Sequence, residues 1–213
     1  MSARITQLRV VAIMLMAGLA SASCGEVART GRSPMMLIID SLTGASGAAP
    51  GQLGVPVQSD VVTIVKKTIG GVETPVPTVF NDVGKATLRM LLKDQGAPAV
   101  TASPTLINVV QLTRFHVDYI RADGHNIQGV DVPYSFDGGT TASILSGAVD
   151  VPFELVRASA KDEAPLKALA FGGGRVAIYT IARVTFYGKD PGGNDIEVTG
   201  DISVDFADWA DPS

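Results

Sequence analysis

The two segments that most restrict the fold lie near the C-terminus, where every second side chain is apolar or small. In the first segment these positions are Val176, Ile178, Thr180, Ala182, Val184 and Phe186, and in the second they are Ile196, Val198, Gly200, Ile202, Val204 and Phe206. Residues 188–194 between them contain three glycines and a proline, which favour turns. This period of two predicts a long β-hairpin with one buried side. Its register should be strongly specified, because a shift by one residue would turn acidic side chains into the core.

Shorter runs with the same period occur earlier in the chain, at residues 86–92, 115–119, 130–136 and 151–155. Each run predicts one half-buried strand of an antiparallel sheet.

The chain before residue 66 is less regular. The apolar run Met35–Ile39 predicts a strand buried on both faces, although a turn of helix fits the same pattern. Residues 43–56 are rich in Gly, Ala and Pro and predict a long surface loop. Residues 57–65 predict a further strand.

Only residues 161–169 have the composition of a short helix, with acids before Pro165 and helix-forming residues after it. Three glycines at 172–174 would end this helix. The chain therefore has about nine or ten strands and one short helix, without a linker that would separate two domains. We expect an all-β fold, a single antiparallel, immunoglobulin-like β-sandwich over residues 34–213.

The N-terminus has the layout of a bacterial secretory signal over residues 1–23. Arg4 and Arg9 precede an apolar run at residues 10–20, and small residues follow it. The run is shorter than the roughly 20 residues that a membrane-spanning helix needs. We therefore expect export and cleavage rather than a permanent span.

Two cleavage sites fit the end of this signal. Ala20-Ser21-Ala22 suits ordinary signal peptidase, which would release a soluble periplasmic or secreted protein that begins at Ser23. Ala22-Ser23-Cys24 resembles a bacterial lipobox, in which the cysteine is lipidated, although Ser21 stands where Leu is usual. We expect lipidation, because Cys24 is the only cysteine of the chain. Residues 24–33 would then form a polar tether between the membrane and the sandwich.

Cysteine count and charge exclude two further properties. A single cysteine allows no intramolecular disulfide, so the core alone must hold the fold. Loss of Arg4 and Arg9 removes two positive charges and lowers the formal net charge from −4 to about −6. This balance argues against nucleic acid as a partner, since no basic stripe is present.

The hairpin-rich part of the chain carries a resemblance at the level of fold class. The segments Val117–Gly124 and Val184–Asp190, within residues 105–211, resemble immunoglobulin-like or fibronectin-type sandwiches of bacterial exported proteins. With this resemblance and its lipobox-like N-terminus, the chain is similar to uncharacterised bacterial lipoproteins. It departs from true immunoglobulin domains in lacking their Cys…Trp…Cys spacing, because Cys24 precedes the domain and Trp209 is near its end. The resemblance implies no catalytic residues.

The sequence contains little that points to catalysis. It has two histidines, His116 and His125, and no G-x-S-x-G, H-E-x-x-H or Cys/His zinc pattern. We therefore expect a protein that is not an enzyme and needs no cofactor or metal. Calcium is the alternative weighed, since it prefers several oxygen ligands. Its candidate ligands are Asp190, Asn194 and Asp195, then Asp123 and Asn126, and at the C-terminus Asp205, Asp208 and Asp211.

The function expected from these features is an interaction or structural module of the bacterial cell envelope, anchored to the membrane through its lipid. The partner would be another envelope protein or a second copy. A glycan- or calcium-binding module is the alternative, and a hydrolytic enzyme is the third choice. Exposed aromatic residues would favour glycans, but Tyr119, Tyr134, Phe136 and Phe186 lie on core-like stripes.

One strand face is the candidate interaction surface. Arg114, His116 and Asp118 place a base, an imidazole and an acid on the polar side of a single strand. Histidine is the side chain best suited to change charge near neutral pH, so such a face could respond to pH.

Overall fold

A computed structural model describes residues 32–94, 108–172 and 176–209. The signal peptide, Cys24 and most of the tether lie outside the described residues. The described residues contain ten strands, which are β1 (Met35–Ala45), β2 (Val57–Asp60), β3 (Thr63–Ile69), β4 (Val72–Thr78), β5 (Asp82–Leu92), β6 (Val110–Ile120), β7 (Phe136–Ile144), β8 (Val149–Val156), β9 (Ile178–Lys189) and β10 (Asp195–Ala207). A one-turn helix, α1 (Ala158–Lys161), and a 3-10 turn (Leu166–Leu169) join β8 to β9.

The strands form two facing sheets and a separate hairpin. The smaller sheet has the order β1-β5-β8, and the larger has the order β2-β10-β9-β6-β7. Strands β3 and β4 pair with each other and form the hairpin. The arrangement confirms the predicted all-β sandwich. It is mixed rather than purely antiparallel, because β2 runs parallel to β10.

The core lies between the two sheets and is centred on three aromatic rings. Phe153 of β8 stands 5.3 Å from Phe186 of β9 and 5.5 Å from Phe115 of β6, measured between ring centroids. Such edge-to-face contacts stabilise the core beyond the area they bury. Gly84 of β5 is needed here, because a Cβ atom would lie 2.3 Å from the Phe153 ring.

The predicted C-terminal hairpin is confirmed over residues 178–206. Strands β9 and β10 pair without a shift from Lys189 opposite Asp195 to Ile178 opposite Phe206. The inward positions of β10 alternate with exposed ones as expected, and Val204 is fully buried. The turn between the strands closes through a hydrogen bond from the backbone N–H of Asp190 to the carbonyl of Asn194.

The alternation at residues 130–136 was misread as a strand. Val130 is 64% exposed and Tyr134 is 50% exposed, and β7 begins only at Phe136. The segment is a turn instead, because Asp131 bonds back to Ile127 through both its backbone and its carboxylate. An alternation of apolar side chains that arises by chance does not supply a neighbouring strand for backbone hydrogen bonds.

Several predicted boundaries were also wrong. Strand β1 is half-buried rather than buried on both faces, with Met36 41% exposed, because only the inner face of its sheet packs against the core. Strand β1 continues to Ala45, so the loop predicted at residues 43–56 begins later than expected. The predicted strand 57–65 is broken after Asp60, since β2 and β3 belong to different sheets.

The single predicted helix is also divided. Helix α1 ends at Lys161, and residues 166–169 form a separate 3-10 turn that begins after Pro165. Of the three glycines expected to end the helix, Gly173 and Gly174 lie outside the described residues. Val176 is exposed and precedes β9, so it does not join the apolar stripe of that strand.

Candidate interaction face

The candidate side chains lie on the outer face of the five-stranded sheet. Arg114, His116 and Asp118 alternate along β6 with Phe115 and Val117, which are buried. A β-bulge between β6 and β7 interrupts the alternation before Arg114, because the pairing register shifts between Leu112 and Arg114. The buried residues Val110 and Leu112 therefore do not continue the spacing of Phe115 and Val117.

Arg114 and His116 share one partner on the neighbouring strand. The guanidinium of Arg114 donates to Asp137 Oδ1 of β7 at 3.0 Å, and His116 Nδ1 lies 3.3 Å from the same oxygen. On the other side, the guanidinium carbon of Arg114 lies 3.6 Å from the centre of the Tyr187 ring of β9. Asp137 and Tyr187 were not predicted as partners from the sequence, because cross-strand neighbours depend on register.

Asp118 belongs to a second row of charges. It stands opposite Arg183 of β9, and its carboxylate accepts a hydrogen bond from Gln128 at 3.4 Å. Arg183 in turn makes a two-pronged pair with Asp201 of β10, with both nitrogen–oxygen distances 3.0 Å. That hydrogen bonding raises the pKa of Arg183 above its usual value.

The described part of this outer face is acidic overall. Three bases, Arg114, Arg183 and Lys189, are outnumbered by six acids, which are Asp118, Asp137, Asp195, Glu197, Asp201 and Asp205. The pairs are solvent-accessible, so each adds little to stability. Their arrangement instead gives the face a negative charge pattern that a basic surface would complement.

The second histidine lies in a compact loop at one end of β6. Asp123 binds the guanidinium of Arg121, and this contact lowers the pKa of Asp123 to about 2. His125 Nδ1 lies 3.5 Å from Asp123 Oδ1. Asn126 caps the same loop by accepting the backbone N–H of Arg121 at 2.6 Å. The polar side chains here are used to close the loop.

The calcium candidates are likewise engaged with their own neighbours. Asp190 accepts the backbone N–H of Asn194 at 2.8 Å and its side-chain amide at 2.9 Å. Asp195 pairs with Lys189 at 2.5 Å. Within residues 32–94, 108–172 and 176–209, no group of three or more His, Cys, Asp or Glu side chains is placed to hold a metal ion. Asp211 lies outside those ranges.

A buried polar cluster at one end of the sandwich was not predicted at all. Lys161 Nζ lies 2.7 Å from Asp82 Oδ1, and both side chains are fully buried. Asp82 also accepts hydrogen bonds from the Ser59 hydroxyl at 2.5 Å and the Gly47 N–H at 2.8 Å. Burial raises the pKa of Asp82, against the opposing effect of Lys161. The cluster joins β2, β5, α1 and the loop after β1.

Lys161 and Asp82 are 79 positions apart, and no local pattern connects them.

In the part of the chain that the structure describes, no helix is long and apolar enough to cross a bilayer. No protein-family model, no curated protein and no solved structure matches the chain.

Proposed function

We propose that this protein is an exported, lipid-anchored β-sandwich that binds another envelope protein through the outer face of its five-stranded sheet. The observation that supports this most is the acidic, cross-linked pattern of charges around Arg114, His116 and Asp118. A partner that presents a basic surface would complement it. The pattern occupies four neighbouring strands and includes an aromatic ring, Tyr187, of a kind common in protein interfaces.

We further propose that this sandwich is immunoglobulin-like, and the strand order supports this. If β1, β5 and β8 are lettered A, B and E, the facing sheet reads G, F, C and C′ from β10 to β7. Immunoglobulin-type sandwiches place these strands in the same two sheets. Interaction surfaces on such scaffolds are carried by strand faces and loops, while the core serves stability.

The proposed tether is compatible with an accessible face. The chain enters the sandwich at the start of β1, where the carbonyl of Pro34 accepts the N–H of Lys93 at 2.8 Å. Ten residues from Cys24 to Ser33 span at most about 34 Å when fully extended. The tether would thus be attached at one end of the sandwich. The outer face of the five-stranded sheet would lie along the side of the sandwich.

The lipid anchor can be tested separately from the face. We expect labelled palmitate to enter the natural protein and not a Cys24→Ala variant, because the thiol is the attachment atom. The variant should also lose tight membrane association. Mass spectrometry that finds an unmodified N-terminus at Ser23 would refute lipidation and leave a soluble exported protein.

The interaction face is tested by replacing Arg114, His116 and Asp118 together with Ser. We expect the variant to remain folded, since all three side chains reach solvent, and to lose the partner that crosslinking recovers with the natural protein from native membranes. Circular dichroism and urea unfolding establish that the fold is intact.

The matched control changes a base, a hydroxyl residue and an acid on the other sheet. Lys85, Thr87 and Asp150 form a comparable outer cluster, with Lys85 Nζ 3.2 Å from the Asp150 carboxylate. Replacement of Lys85 and Asp150 by Ser and of Thr87 by Ala should leave partner recovery unchanged. If both variants lose the partner equally, or if neither variant loses it, the outer face of the five-stranded sheet is removed from the proposal.

A further inference from the structure

A cavity of about 300 Å³ opens at the end of the sandwich opposite the start of β1. It lies between the loop after β1, the strand β2 and Trp209, which follows β10. Small residues at positions 44, 45, 48 and 49 line part of it and leave the space unfilled. Its volume is at the lower end of the range for small-molecule sites, which suits one ring rather than an extended ligand.

The polar groups of the cavity favour an uncharged ligand. Ser46, Gln52 and Gln58 offer a hydroxyl and two amides, which can both donate and accept hydrogen bonds. Among the described lining residues there is no Lys, Arg or His, so a phosphate or carboxylate would find no opposite charge. The lining has one carboxylate, that of Asp60, whereas calcium prefers six to eight oxygen ligands.

Asp60 holds the wall of the cavity in place. Its carboxylate accepts the Thr63 hydroxyl at 2.5 Å and the backbone N–H of Trp209 at 3.0 Å. Its carbonyl oxygen accepts Lys161 Nζ at 2.7 Å. The side chain is buried, so the link between β2 and the C-terminal segment is shielded from water. Trp209 is therefore fixed at its backbone.

The indole of Trp209 is oriented as well. Its Nε1–H donates to the carbonyl oxygen of Asp205 at 3.2 Å. Because that N–H is already bonded, the indole contributes mainly apolar ring surface to the cavity. Pro56 and Val57 add further apolar surface. The cavity therefore places apolar ring surface beside the polar side chains of its lining.

We infer that this cavity binds a single neutral sugar ring, such as the terminal unit of a glycan. A sugar ring has C–H surface that can lie against an aromatic ring and hydroxyls that suit the two amides and Ser46. The inference is independent of the proposed protein-binding face, because the cavity is at the end of the sandwich and shares no named side chain with Arg114, His116 or Asp118.

The test uses the fluorescence of Trp209, the only tryptophan of the chain, in the full mature protein. The probes are glucose, galactose and N-acetylglucosamine, each titrated to about 100 mM. We expect at least one to cause a saturable change with a dissociation constant of about 1–10 mM, as for a small ligand with few hydrogen bonds. Glucosamine and glucose 6-phosphate serve as the charged comparisons.

Two variants locate the site. Gln52→Ala removes one amide from an exposed side chain, and Ala49→Leu fills the cavity. We expect each to weaken binding by at least about tenfold, while Gln111→Ala on β6, far from the cavity, leaves it unchanged. Absence of a saturable change with all neutral sugars, unaltered binding in Gln52→Ala, or tighter binding of the charged probes would overturn the inference. Gln52→Ala decides the outcome if Ala49→Leu does not fold.

Discussion

Replacement of Val204 by aspartate is expected to destabilise the sandwich by at least about 4 kcal/mol, a large part of the total stability of a typical domain. Val204 is fully buried in β10, between β2 and β9, and its carbonyl accepts the Thr180 hydroxyl at 2.9 Å. A carboxylate at this position would lose its hydration without gaining a partner. Urea unfolding of the mature protein measures the loss directly.

The neighbouring residue supplies the control. Ser203 is exposed on the same strand, so Ser203→Asp should change the free energy of unfolding by about 0.5 kcal/mol or less. Equal effects at the two positions would contradict the inward assignment of Val204.

Lys161→Met is expected to cost about 3–5 kcal/mol, because it leaves the carboxylate of Asp82 buried without its counter-ion. Lys167→Met is the matched control, since Lys167 is exposed on the following 3-10 turn and should tolerate the change. Adding Asp82→Asn to Lys161→Met should recover part of the loss, because the charge is removed while one oxygen still accepts hydrogen bonds.

The pH dependence of this loss follows from the pKa of Asp82. Burial raises that pKa in the folded state above the unfolded value of 3.8, so the folded protein binds the proton more tightly than the unfolded chain. This group therefore reduces stability as pH rises from about 4, and stability returns on acidification as Asp82 becomes neutral. Without Lys161 the effect should grow. Unfolding measured at about pH 4 and pH 7 should show a smaller loss for Lys161→Met at the lower pH, and a larger loss there would refute the argument.

The strands that were predicted correctly are those in which one side is buried and the other is wet. Leu88 and Met90 in β5, and Ile202 and Phe206 in β10, are inward as their spacing indicated. Where the chain passes from one sheet into another, spacing alone does not locate the break. The division between β2 and β3 is of this kind, because it depends on which sheet each part joins.

The site was predictable only along a single strand. The spacing on β6 placed Arg114, His116 and Asp118 on one face, but their partners depend on register between strands. Arg114 meets Asp137, which is 23 positions away, through a pairing that includes a bulge. Trp209 and Asp60 meet across 149 positions. Such long-range contacts are properties of topology, and single-sequence patterns contain no signal for them.

The central claim, that the outer face of the five-stranded sheet binds a protein partner, is tested most directly by site-specific photo-crosslinking in native membranes. A photoreactive residue is placed at position 185, where Thr185 lies between the rows of Arg114 and Asp118, and separately at position 87, where Thr87 lies on the outside of the other sheet. We expect a protein adduct from position 185 and none from position 87. Adducts from position 87 alone, or from neither position in a folded protein, would contradict it.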